Sequence, residues 1–133
     1  MRQVLFTIVV IVTTLVTPVN ADTVVLKCAE NNLKLYLQLD YGTETMKFGW
    51  IESDLKDQVS VKARYWGRTE LYFIHTSEGF HESNLIVTLD SFYLHRISKT
   101  LIWHHQTLEP KSNGTRMSEI VQATCEPIDG SSF

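Results

Sequence analysis

From Asn84 to Gln106 the chain reads Asn-Leu-Ile-Val-Thr-Leu-Asp-Ser-Phe-Tyr-Leu-His-Arg-Ile-Ser-Lys-Thr-Leu-Ile-Trp-His-His-Gln. Leu85, Val87 and Leu89 alternate with Ile86, Thr88 and Asp90. A period of two with β-branched enrichment specifies a strand rather than a helix. Asp90-Ser91 reads as a turn, and Phe92 to Trp103 reads as a hairpin reversing at Ser98-Lys99. A two-residue loop there places Leu94 opposite Trp103 and Arg96 opposite Leu101. Phe92, Leu94, Leu101 and Trp103 then share one face, the expected core face. Tyr93, His95, Ile97, Ile102 and His104 share the other.

The same alternation recurs along the chain. Thr23 to Ala29 is a first strand, and Asn31-Asn32 a turn. Leu33 to Leu39 is the cleanest case: four leucines point one way, with Lys34, Tyr36 and Gln38 opposite. Asp40 to Thr43 is a tight turn. Thr45 to Ile51 follows, with Met46, Phe48 and Trp50 on one face. Gln58 to Trp66 and Thr69 to His75 form a second hairpin. A three-residue loop, Gly67 to Thr69, sets Tyr65 opposite Leu71 and Ala63 opposite Phe73. Thr76 to Ser83 and Thr107 to Met117 read as loops, Ser118 to Cys125 as the last strand, and residues 126–133 as a loose tail. Seven to eight short strands without a convincing helix predict an all-β fold, a small antiparallel barrel or sandwich. The cysteines mark the ends of the domain, unlike the inter-sheet pair of an immunoglobulin domain.

The N-terminus carries a different signal. Arg2 precedes an apolar run from Val4 to Val16, and Val19 and Ala21 are small residues at the end of it. This is the layout of a secretory signal peptide over 1–21, cut after Ala21, followed by one domain over 22–133. The run is short for a bilayer span, which needs about 20 residues, so no stable membrane span is expected after cleavage. Removing 21 of the 133 residues leaves 112, one domain's worth. It takes away one of the 12 Lys+Arg and none of the 15 Asp+Glu, so the net charge moves from −3 to −4. A mildly acidic chain without a basic block is a poor nucleic-acid binder. A secreted or periplasmic location favours pairing of Cys28 with Cys125 into one terminal-linking disulfide over two buried free thiols.

Tyr93-x-His95-Arg96-x-Ser98-x-x-Leu101, with Cys28 near the start of the mature chain and Cys125 near its end, resembles a hairpin of small exported bacterial proteins of unknown function. In those proteins a Tyr-x-Ile-x-Arg-x-Thr-Gly-x-Leu segment precedes a terminal cysteine. Lys99 stands where they often carry Gly, and His95 where they often carry an acid or amide. The resemblance implies a small β-barrel or sandwich and implies no activity.

Candidate chemistry is sparse. On the expected register His95 and His104 lie diagonally on one face, and with His75 or His81 they are candidate Zn²⁺ or Cu²⁺ ligands. His104 and His105 point to opposite faces. Glu52, Asp54 and Asp57 lack the spacing, mid-loop Gly and terminal Glu of an EF-hand and read as a solvated turn. No nucleophile elbow, paired carboxylates or phosphate-cradling loop stands out, so neither a catalytic activity nor a cofactor is expected. Asn113-Gly114-Thr115 has the form of a glycosylation sequon.

The best candidate binding surface is the hairpin tip, Arg64, Tyr65, Trp66 and Arg68, because Arg and aromatic residues anchor interfaces. Against it stands the reading of Trp66 folded over a barrel end, with Trp50 and Trp103 in the core. The expected function is therefore a non-enzymatic exported domain that binds a protein or envelope-associated partner. A small-ligand protein of the periplasm, taking an apolar molecule or a metal, is the alternative.

Overall fold

Alternation works here because eight strands can bury all their inward side chains against one another. In the computed structural model, which describes residues 22–112 and 114–133, they close into an antiparallel barrel. The strands are β1 Thr23–Glu30, β2 Leu33–Asp40, β3 Thr45–Gly49, β4 Val61–Trp66, β5 Glu70–His81, β6 Asn84–His95, β7 Thr100–Glu109 and β8 Gly114–Pro127. Each pairs with the next in sequence, and β8 returns to β1. The expected signal peptide, residues 1–21, and Asn113 of the sequon lie outside the described residues. Among the described residues, no helix is long and apolar enough to cross a membrane.

An eight-stranded barrel is just wide enough for side chains to fill, and this one is filled. Leu26 and Cys28 from β1, Leu35, Leu37 and Leu39 from β2, and Met46 from β3 are buried. So are Leu71 and Phe73 from β5, Phe92 and Leu94 from β6, and Leu101 and Trp103 from β7. Each such burial contributes roughly 1.5–3 kcal/mol. Cys28 and Cys125 face each other across β1 and β8 and are joined by a disulfide closing 97 residues of sequence.

Several local expectations change. Asp90-Ser91 is not a turn: β6 runs unbroken from Asn84 to His95, paired with β5 along its whole length. The β6–β7 connection spans four residues, so Leu94 lies opposite Leu101 and His95 opposite Thr100. The extra length accommodates Lys99 at φ 57° and a turn in which the Ser98 N–H donates to His95 Nδ1 at 3.1 Å. A slip of two residues preserves the faces, so Phe92, Leu94, Leu101 and Trp103 still share the core.

In the β4–β5 hairpin, Ala63 does pair with Phe73, but a bulge follows. Tyr65 lies opposite Tyr72, and Trp66 rather than Tyr65 meets Leu71. A bulge adds one residue on one strand and reverses the facing of what comes after it.

The expected loop 76–83 is strand, closed by a two-residue turn at Glu82-Ser83 with φ 50° and 66°. Residues 107–117 are likewise mostly strand, around a short 3-10 turn at Pro110–Ser112. The connection Glu52–Asp57 is a 3-10 helix whose Leu55 is buried. The tail is not loose throughout: the Ile128 N–H donates to the Val25 carbonyl, and Phe133 packs against the core.

Candidate functional site

The inward parity of the four long strands β5 to β8 does not stop at the apolar core. Below lies the rung Phe73, Phe92, Trp103 and Val121; one step outward the same faces carry His75, Asp90, His105 and Glu119. These four are consecutive cross-strand neighbours: His75 opposite Asp90, Asp90 opposite His105, His105 opposite Glu119. The next rung is Ser77, Thr88, Thr107 and Met117. One end of the barrel thus grades from an aromatic floor through a titratable rung to a hydroxyl-rich rim.

Asp90 is the only buried polar or charged residue among those described, at 5% exposure. A buried carboxylate is costly unless hydrogen-bonded, and it has two partners. The Trp103 indole Nε1–H donates to Asp90 Oδ1 at 2.9 Å, and His105 Nδ1 stands 2.6 Å from the same oxygen. Since a carboxylate only accepts, the His105 proton belongs on Nδ1, and the Nε2 of the neutral ring is left as an acceptor. Trp103 and His105 also pack ring to ring at 5.7 Å.

Over this floor opens a cleft of about 360 Å³. Leu33, Phe48, Trp50, Trp103, Met117 and Val121 give it apolar walls, and Asp90, His105 and Glu119 a polar one. Trp50 forms the lip. It follows the end of β3 at Gly49, on a bend tied down by the Asp54 N–H to Ile51 carbonyl bond and by buried Leu55. Its ring meets Trp103 edge-on at 5.4 Å and 62°, yet the residue is 55% exposed, against the expectation that it would be core. On its other side a shallower depression of about 450 Å³ is bounded by Tyr36, Ile51, Glu52 and Ser53.

The sequence-derived candidates lie elsewhere. The hairpin tip is split by the β4 bulge. Trp66 turns inward, edge-on to Tyr41 at 5.3 Å and to Phe73 at 6.1 Å, while Arg64, Tyr65 and Arg68 stay exposed. The Tyr65 ring lies so close over Gly67 that a β-carbon there would come within 2.7 Å of it.

His95 and His104 share the outer face but pair with Thr100 and Ser91, four residues apart along the strand. At about 3.3 Å per residue this separates their levels by about 13 Å, too far to share an ion. Each has a serine partner instead, Ser98 and Ser118. Among the described residues, no group of three or more His, Cys, Asp or Glu side chains is arranged to hold a metal ion. On the outer wall the Tyr93 pKa is raised, first by its hydrogen bond to Glu70, then by burial and by the Glu70 charge.

Asp90 was missed because Asp90-Ser91 reads as a turn, and the grouping of His105 with Glu119 because the β7–β8 register that pairs them is not written in the alternation. The signal was present: once His104 faces outward, His105 must face the core, and stepping back by two from Leu94 and Phe92 places Asp90 there as well. Compared with protein-family models, with curated proteins and with solved structures, the chain matches none.

Proposed function

We propose that the protein is an exported barrel that binds a small molecule at its open mouth, in contact with Trp50, Trp103 and the Asp90–His105 pair. The observation that carries this reading is the cleft itself. Ligand sites are concave and mostly apolar, with a few placed polar groups, and range over about 300–1,000 Å³. A cleft of about 360 Å³, with an exposed tryptophan at its lip and a buried carboxylate in its floor, has that composition. The barrel interior is filled, so the ligand belongs at the mouth and not in a lumen. The disulfide supports an oxidising, extracytoplasmic location.

The test is titration of the oxidised domain with a neutral solvatochromic dye. Binding by the wild type, weakened about tenfold or more in Trp50→Ala with an unchanged unfolding midpoint, is the expected result. Equal binding by both proteins would remove the mouth as the site. Partner binding remains a second reading, favoured by exposed Arg64, Tyr65 and Arg68 at the opposite end. A pull-down with Tyr65→Ala as control tests it.

A further inference from the structure

We infer that the ligand of the mouth is a small organic cation, an amine or quaternary ammonium on an apolar stem. This rests on the reading of the mouth as a ligand site and adds the sign of the charge. Among the described residues the cleft is lined by two carboxylates, Asp90 and Glu119, and by no Lys or Arg. With His105 neutral, these three residues carry two negative charges; with His105 protonated, they still carry one.

The aromatic partner of a cation is also in place. Because Trp103 meets Trp50 edge-on and Trp50 is more than half exposed, much of the Trp50 indole surface is open to a ligand. Ammonium groups are drawn to the faces of aromatic rings, tryptophan best of all. The depression behind Trp50 repeats the combination, with Tyr36 beside Glu52 and again no basic lining residue among those described. An anion entering either side would be desolvated against like charge, whereas a neutral molecule would gain at most a hydrogen bond from the carboxylates and no ion pairing. The acidic net charge of the whole chain adds attraction at longer range.

Three probes with one stem separate the possibilities: 4-phenylbutylammonium, 4-phenylbutanol and 4-phenylbutyrate, titrated by tryptophan fluorescence and calorimetry. The ammonium is expected to bind about tenfold more tightly than the alcohol, with the carboxylate weakest. Glu119→Gln, an exposed position that folding should tolerate, is expected to narrow the preference about threefold, and added salt to weaken the ammonium selectively. If the alcohol binds as well as the ammonium and Trp50→Ala abolishes both, the mouth stands as a ligand site and the cation inference falls. The inference also falls if the neutral dye binds and none of the three probes does. If neither dye nor probes bind, the ligand reading itself falls with it.

Discussion

The two ends of the barrel are finished differently. At one end the β2–β3, β4–β5 and β6–β7 turns are drawn together by Arg96. Its Nη1 donates to the Gly67 carbonyl at 2.9 Å, its Nη2 reaches the Tyr41 hydroxyl at 3.4 Å, and its guanidinium lies 5.4 Å from the centre of the Tyr41 ring. Trp66 and Phe133 pack beneath, so the core is covered at this end. The depression of about 390 Å³ left among Asp22, Tyr41, Arg96 and Ser132 is more open and more polar than the cleft over Trp103. At the other end no such clamp exists among the described residues. The long strands β5 to β8 run on past their shorter neighbours: β4 pairs with β5 only as far as Phe73, and β1 meets β8 only from Thr124. What lines the inner faces there is a row of titratable groups over an aromatic floor. A barrel needs one cap to exclude water from its core, and the proposed ligand site lies at the end where charged groups stand in place of a cap.

Breaking the contrast should give distinct signatures. The largest effect is expected from Cys28→Ser with Cys125→Ser, which releases the seam shared by both ends. The chain-entropy model assigns so long a loop roughly 4–5 kcal/mol, and chemical denaturation of the oxidised and double-mutant proteins would measure the loss.

Asp90→Ala comes next. It strands the Trp103 N–H and the His105 ring without their shared acceptor and opens a small void, so a loss of about 2–3 kcal/mol is expected together with weakened dye binding. Unchanged stability would mean that water replaces the carboxylate without cost. Arg96→Met removes the clamp while keeping an apolar stem, for about 1–2 kcal/mol. It should leave dye affinity at the far end untouched, and a shift in that affinity would show the two ends to be coupled. Smallest in stability is Trp50→Ala, within about 0.5 kcal/mol, although its effect on binding should be the greatest.

The same contrast explains what was legible in the sequence. Around the covered end and the core, every inward position is apolar, so alternation alone identifies strands and faces, and even a register wrong by two residues keeps Leu94 and Trp103 inside. Toward the open end neither face is fully buried. Ser77, Gly79 and His81 on β5, and Thr107 and Glu109 on β7, carry no apolar period, so these strand ends resemble loops. Asp90 misleads for the same reason in reverse: an inward carboxylate in a strand resembles a turn. The β4 bulge, which hides Trp66 and exposes Tyr65, has no counterpart in composition at all. Arg96 was visible as part of a motif, but its partners, Gly67 and Tyr41, lie 29 and 55 residues away.

The order of the strands also bears on how the molecule is assembled. Every pairing but one joins strands consecutive in sequence, so the sheet can grow by adding one hairpin after another, each a fast local event on the order of microseconds. The exception is the meeting of Leu26–Ala29 with 124–127, which must bring together segments nearly a hundred residues apart. Cys28 and Cys125 lie within that last contact, so their oxidation is favoured only when the eighth strand has reached the first. The bridge is therefore a chemical time stamp of completed folding. Quenching the thiols with an alkylating agent at intervals during synthesis or refolding would show when each molecule closes.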